Sequence, residues 1–514
     1  MSTGTPAPER QTRASVWRWV VLVGLLAAVI SAVGIPARAT YGAQVSGDEP
    51  YYLLTAQSLI SDGDLDISDQ IASGAYRAYH DLALDEQTVS LDTSGRRVSP
   101  HDPLLSVLLA PAMALPAAAA WPAAKGLLAI VAGLTAGLTC WTAVRRFDVS
   151  AVTAGIVVGA AFGGIPLANY GSQVYPEMPA ALLVVAIVAT GTAPSLRWGH
   201  LAAIAAAVVA LPWLSVKFTP VAGVLILTLL WRLWRDGRRR DAGAVVGFLA
   251  VAGVLYLVAH QLWYGGWTVY AAGDHFVADG EFSVVGVEAD YAGRTRRLVG
   301  LLVDRGYGLA AWSPLWLLAP AAVTVAGLRR HRSRTWLLVP IAVGWSVATW
   351  VALTMHGWWS PGRQVVVVAP LIVVALAVAV DAVRSRRTAH AVVLLAGLAG
   401  AVNWATSAVE AATGGPVLIV DFEESAAPVR RLLAPLLPDG VVGGLSADAL
   451  LLAWFVGLVL TAVVAGRVLG HRRSSVAPDP APGTHLESVD RRPPPVTARA
   501  TPSHHPDEEE VALS

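Results

Sequence analysis

Residues 17–36 read WRWVVLVGLLAAVISAVGIP, a run broken by a single charge, Arg18, and preceded by Arg10 and Arg13. Some 20 apolar residues are what an α-helix needs to cross a hydrocarbon core about 30 Å thick. The flanking arginines place the N-terminus on the cytoplasmic side. Ala37-Arg38-Ala39 resembles a signal-peptide cleavage site, but the run is long for a signal sequence and reads as a retained first span. Eleven further apolar runs follow: 125–143, 151–168, 178–193, 200–214, 219–234, 242–262, 309–328, 335–354, 364–382, 388–407 and 445–465. Hydrophobic residues make up 55% of the 514 and charged ones only 14%, against about 25% in soluble proteins. The chain therefore reads as an all-α polytopic membrane protein of about 12 transmembrane helices. A net charge of +1 gives no sign of a nucleic-acid partner, and one cysteine, Cys140, excludes an intramolecular disulfide.

Arginine clusters at 235–240, 329–334, 384–387 and 467–473 belong on the cytoplasmic side. Segments 40–102, 263–308, 356–363 and 410–444 then fall outside. This divides the chain into a cytoplasmic tail (1–16), a transmembrane domain (17–470) and a Pro-, Ser- and Glu-rich tail (471–514) that cannot bury a core and is expected to be disordered. Segment 103–120 is apolar but carries Pro103, Pro111 and Pro116; it is expected to be re-entrant or peripheral, with thirteen spans as the alternative. The stretch Leu201–Trp234 would make a helix of ~51 Å. Pro212, Lys217 and Pro220 near its middle predict two short helices joined by a turn at 214–220, which spares a lysine the cost of ~2.5–3.5 kcal/mol at mid-bilayer.

Acids concentrate in the first outer loop, which holds eleven Asp and Glu against three Arg. Ser46-Gly47-Asp48-Glu49-Pro50 leads into apolar residues at helical spacing (Tyr52, Leu53, Ala56, Leu59, Ile60), with Pro50 suited to a first turn. Asp48 and Glu49 thus stand at the start of a short surface helix. Ser46 and Glu49 have capping-box spacing, so helix capping is one reading. A general base just above the outer leaflet is the other. Asp62, Asp64 and Asp66 alternate like a calcium loop, but the sixth-position Gly and the terminal Glu are missing, so a solvated turn is expected.

Gly47-Asp48-Glu49-Pro50-Tyr51-Tyr52 followed by Asp62-Gly63-Asp64 resembles the first periplasmic loop of GT-C glycosyltransferases, polytopic enzymes of the protein mannosyltransferase and aminoarabinose-transferase type. His101-Asp102-Pro103-Leu104 is similar to their His-Pro-Pro-Leu segment, with Asp for the first Pro. Tyr175-Pro176-Glu177-Met178-Pro179 resembles a second acidic motif, Lys217-Phe218-Thr219-Pro220 a basic residue-x-x-Pro turn, and Gly357-Trp358-Trp359-Ser360-Pro361-Gly362-Arg363 a late Gly- and Arg-containing motif. The likeness runs from about residue 17 to 380.

The resemblance implies an enzyme of the cytoplasmic membrane, active on its outer face. It would move a sugar from a polyprenyl-phosphate donor to the hydroxyl of a glycan, lipid or protein, with inversion. Asp48 is then the candidate base and Glu49 its neighbour, open to orienting an acceptor, binding a divalent metal or capping the helix. Lys217 and Arg363 are candidates for the donor phosphate. His101, Glu177 and His356 are candidates for substrate contact. The resemblance names no certain cofactor, and a divalent metal stays open. Each has a plainer role: Lys217 snorkelling, Arg363 anchoring a helix end, Trp358 and Trp359 in an aromatic belt, and Arg294, Arg296 and Arg297 forming a solvated face. A transporter or flippase of lipid-linked glycans is the alternative function; transporters place ionisable groups at mid-membrane, often in inverted repeats, and no repeat is visible here. A scaffold without activity is the third.

Overall fold

A computed structural model describes residues 13–84, 87–90, 95–267, 290–329, 331, 333–352, 355, 360–419, 422–440 and 443–470. His356, Trp358, Trp359, much of the 263–308 segment and the whole of the 471–514 tail lie outside the described residues.

The described residues are mostly helical, and among them there is one antiparallel pair of two-residue strands, β1 (Val89–Ser90) and β2 (Arg97–Val98). Among the described residues six helices are long and apolar enough to cross a membrane, including α1 (Arg13–Ala32). They are joined by shorter apolar helices, so the protein is a multi-pass membrane protein. After α1 the chain makes two short helices, α2 (Glu49–Ser61), most of whose residues are buried, and α3 (Ser68–Ala72). Segment 103–120 divides in two. Its first part is α4 (Leu104–Met113), about 15 Å long and too short to span alone. Its last residues, beyond Pro116, open the long helix α5 (Ala117–Arg146).

α1 lies against α5 at backbone distance. A Cβ on Gly133 would come within 2.6 Å of the Gly24 carbonyl oxygen, so only glycine permits the approach, the small-residue packing that lets membrane helices interlock. α6 (Ala151–Phe162) and α7 (Glu177–Gly191) are connected by a fully buried irregular segment. Then come α8 (Trp198–Leu214), a 3-10 turn at Val216–Phe218, and α9 (Thr219–Arg235) with Pro220 in its first turn. The long run thus breaks where its length and its lysine predict. α10 (Arg239–Tyr264) closes on Gly265 in the left-handed conformation that ends many helices. Further on, a buried helix at Ala369–Asp381 follows the Gly362-Arg363 turn, and Arg386–Thr413 and Leu445–Ala465 complete the bundle.

Candidate active site

Five segments distant in sequence meet at one end of the bundle. The first is the start of α2. Asp48 stands at its N-cap, yet its carboxylate makes no capping bond. It accepts instead from Arg363 Nη2 at 2.8 Å. Glu49, completely buried, turns the other way. Its Oε2 accepts the Ser46 N–H at 2.8 Å and its Oε1 the Val174 N–H at 2.7 Å. The capping-box bond back to Ser46 therefore forms. The bond to Val174 pins α2 to the segment that leads into Glu177, and so holds Asp48 beside it. Glu49 presents no free oxygen toward Asp48's partners.

Glu177 opens α7 and is sealed from solvent. Its Oε1 accepts from Arg363 Nε at 2.7 Å and from Lys217 Nζ at 2.5 Å. Arg363 is thus the hub: one guanidinium edge on Asp48, another on Glu177, and its face 4.1 Å from the centroid of Tyr175. Its fork geometry is suited to two acids at once, where a lysine ammonium would be a single point charge. Asp48 and Lys217 keep 24% and 32% of their side chains exposed. The cluster therefore opens outward through the acid and the lysine, while Glu177 and Arg363 form its floor.

The local backbone explains how Arg363 arrives there. Gly362 has φ +82, a left-handed conformation, and a Cβ there would lie 2.6 Å from Leu309 Cδ2 and 2.9 Å from Pro166 Cβ. Ser360, just before it, is clamped: Tyr170 OH donates to its carbonyl at 2.6 Å, Gln173 Nε2 donates to its Oγ at 3.1 Å, and its own hydroxyl donates to Leu418 O at 2.9 Å. Gly362→Ala is expected to lower stability by about 1–3 kcal/mol and to displace Arg363. Thermal unfolding in detergent beside a phosphate-binding assay would show whether both change together.

His101 lies at the rim. Its ring stacks on Tyr52 with centroids 4.8 Å apart, and its Nε2 is 3.9 Å from Asp48 Oδ1. Asp102, its neighbour, points away from the cluster and accepts the Val216 N–H at 3.1 Å. Burial pushes the His101 pKa below the ordinary 6.5, with Asp48 opposing, so the neutral ring is favoured. Burial by itself would raise Asp48; Arg363, then His101 and Lys217, outweigh it and bring the carboxyl below 3.8. At Glu49 burial prevails, and its pKa lies above 4.5 despite Lys125 and the two backbone donors.

The structure brings together Asp48, His101, Glu177, Lys217 and Arg363. Glu49 sits behind them, and His356 is outside the described residues. Arg294 and Arg297 donate to the carbonyls of Trp350 and Ala352, and Arg296 pairs with Asp448, away from the cluster. The Asp62–Asp66 turn is closed by its own bonds, with Asp66 Oδ1 accepting from the N–H groups of Ser68 and Arg97. Among the described residues no group of three or more His, Cys, Asp and Glu side chains is placed to hold a metal ion. Asp48 is engaged by Arg363, so a divalent metal does not fit these residues as arranged. Sequence reasoning gave no site role to Tyr52, Tyr170, Tyr175 or Ser360, although all but Tyr170 lie inside the quoted motifs.

The fold and the cluster define a class: a polytopic helical membrane protein with a paired acid–cation site at the start of a short helix. No protein-family model and no curated protein matches the chain. Solved structures do. The chain is similar in fold to ArnT from Cupriavidus metallidurans in the apo state, with a TM-score of 0.51 at 18% identity over 88% of this chain and 78% of that one. A second crystal structure, of the same ArnT bound to undecaprenyl phosphate, aligns with a TM-score of 0.49 at 17% identity and the same coverage. The GT-C resemblance read from the motifs thus holds at the level of fold.

Proposed function

We propose that the chain is an integral membrane glycosyltransferase that moves a sugar from a polyprenyl-phosphate donor to an acceptor hydroxyl, with inversion. In this reading it has about twelve spans and works on the outer face of the cytoplasmic membrane, both tails lying inside. The observation that carries it is Arg363 bridging Asp48 and Glu177, with Lys217 on the same glutamate. Such a site supplies what the reaction requires: a base for the acceptor proton and cations where charge develops on the departing phosphate.

The geometry supports the following roles. Lys217 and Arg363 take the donor phosphate. Asp48 takes the acceptor proton, and Glu177 holds both cations in place. In the resting cluster Asp48 is a weak base because Arg363 stabilises its charge. A phosphate that engages the guanidinium draws it off Asp48, whose basicity then rises as the donor is bound. The base is thereby activated by the substrate it serves. His101, stacked on Tyr52, lines the acceptor side.

The test is mass analysis of polyprenyl-phosphate-sugars and cell-envelope glycans with and without the protein, followed by transfer with purified protein in nanodiscs. Accumulation of one lipid-sugar and loss of one glycan is the expected pair. Passage of an unchanged lipid-sugar across vesicles, with no transfer, would replace the enzyme by a flippase.

The pH dependence has a definite sign. Asp48 must be ionised to act, and its pKa in the folded protein is depressed. kcat/KM should therefore stay level as pH falls through 5, declining only below about 4. The stabilisation from the Asp48 pairing is likewise present above the ordinary carboxylate value and lost as pH falls through the depressed one. An acid limb lying above the carboxylate range but below the ordinary histidine value of about 6.5 would instead assign control to His101, whose pKa burial depresses.

A further inference from the structure

Asp102 stands where the resembling His-Pro-Pro-Leu segment has proline, a residue with no acceptor side chain. Here the carboxylate is buried and fully used. One oxygen accepts the Val216 N–H at 3.1 Å, in the 3-10 turn that carries Lys217. The other accepts from Tyr256 OH at 3.0 Å and lies 3.2 Å from His260 Nε2. One residue earlier, the His101 carbonyl accepts from Tyr264 OH at 3.0 Å.

Tyr256, His260 and Tyr264 are spaced by four and so share one face of α10. With Val245 they are the buried residues of that helix. The rest of its surface is largely lipid-type side chain, exposed in the isolated molecule. α10 is therefore held at this end by polar and ring contacts, and they converge on the His101–Asp102 corner. Trp213, near the end of α8, packs edge-on against Tyr256 with ring centroids 4.9 Å apart, closing the corner from the side where the Lys217 turn begins.

We propose that Asp102 is the positioning residue of the Lys217 turn, and that α10 is the strut that fixes Asp102. The carboxylate is the common point of three elements: the loop bearing His101, the turn bearing Lys217, and α10. It does not face the phosphate site and takes no part in proton transfer. Its effect is to hold the Val216 backbone so that Lys217 projects toward Glu177 instead of snorkelling along the helix. The proposal rests on the reading that Lys217 meets the donor phosphate.

The experiment uses the full chain in nanodiscs, with undecaprenyl phosphate as the probe. Two measurements are made on Asp102→Ala and Tyr256→Phe: amide hydrogen exchange of the 215–218 turn, and affinity for the probe. Asp102→Ala should speed exchange at the turn by about tenfold or more and weaken probe binding by about tenfold, the worth of one charge-assisted hydrogen bond. Tyr256→Phe should shift both in the same direction by less, and it reads the same contact if the alanine variant fails to fold. In a Lys217→Gln background, Asp102→Ala should weaken binding no further, because it acts through the lysine. Unchanged exchange at the turn, or equal losses in both backgrounds, would overturn the proposal. If the unaltered protein binds no undecaprenyl phosphate, the transferase reading falls, and turn exchange alone then decides the positioning role.

Discussion

Asp48→Asn is expected to abolish most sugar transfer, by about 10²–10⁴-fold in kcat, the usual worth of a general base, while the protein still inserts and folds. Asparagine keeps the shape and an oxygen that can accept from Arg363, so the cluster remains closed, but it cannot take the acceptor proton. KM for the lipid donor should not rise and should fall if anything, because Lys217 and Arg363 are kept and the phosphate no longer competes with a carboxylate for the guanidinium. Glu49→Gln offers the contrast on the adjacent residue. Its carboxylate serves two backbone N–H groups rather than the cluster, so this variant should lose stability first and activity only as α2 loosens. Transfer by Asp48→Asn at the native rate would remove Asp48 as the base.

Glu177→Ala should be the most destabilising single change in the site. It leaves Arg363, almost wholly buried, without one of its two acids and Lys217 without its only hydrogen-bonded acid in the cluster. Removing one partner of a buried ion pair typically costs 3–5 kcal/mol. The loss here should fall toward the lower figure, since Lys217 is one-third exposed and can turn to water. Adding Lys217→Met to Glu177→Ala should recover part of it by deleting the cation left behind. Unfolding in detergent followed by fluorescence, on the single and double variants, checks this. Equal stability of Glu177→Ala and the unaltered protein would mean that the cluster is not closed as described.

The membrane-spanning character was legible in the sequence because twenty-residue apolar runs have no other stable place. The break at Lys217 was legible for a similar reason, since a lysine and two prolines cannot continue one long helix through lipid. The residues of the site could be named because acids and lone cations in an apolar chain stand out. Their pairing could not. That Glu177 rather than Asp48 would hold Lys217, and that Arg363 would bridge both acids, depends on how the irregular segment before α7 folds, and that segment has no periodicity. The two adjacent acids of the first loop look equivalent as text. They part because Val174, about 125 positions away, supplies the N–H that claims Glu49. Segment 103–120 was ambiguous because proline both breaks and begins helices, and it does each here, ending α4 soon after Pro111 and preceding α5 at Pro116.

The four side chains at the centre carry two positive and two negative charges and sum to zero. Seen from beyond a screening length of about 8 Å at physiological salt, such a site has no monopole with which to gather anions from solution. Free phosphate in the surrounding water is thus not concentrated there, and ionic strength should have little influence on how fast the donor arrives. In the proposed reading selection passes to the donor's hydrocarbon tail, which confines it to two dimensions and brings its head group alongside by lateral diffusion. On the proposed mechanism the ion pairs open only when a phosphate is already within reach.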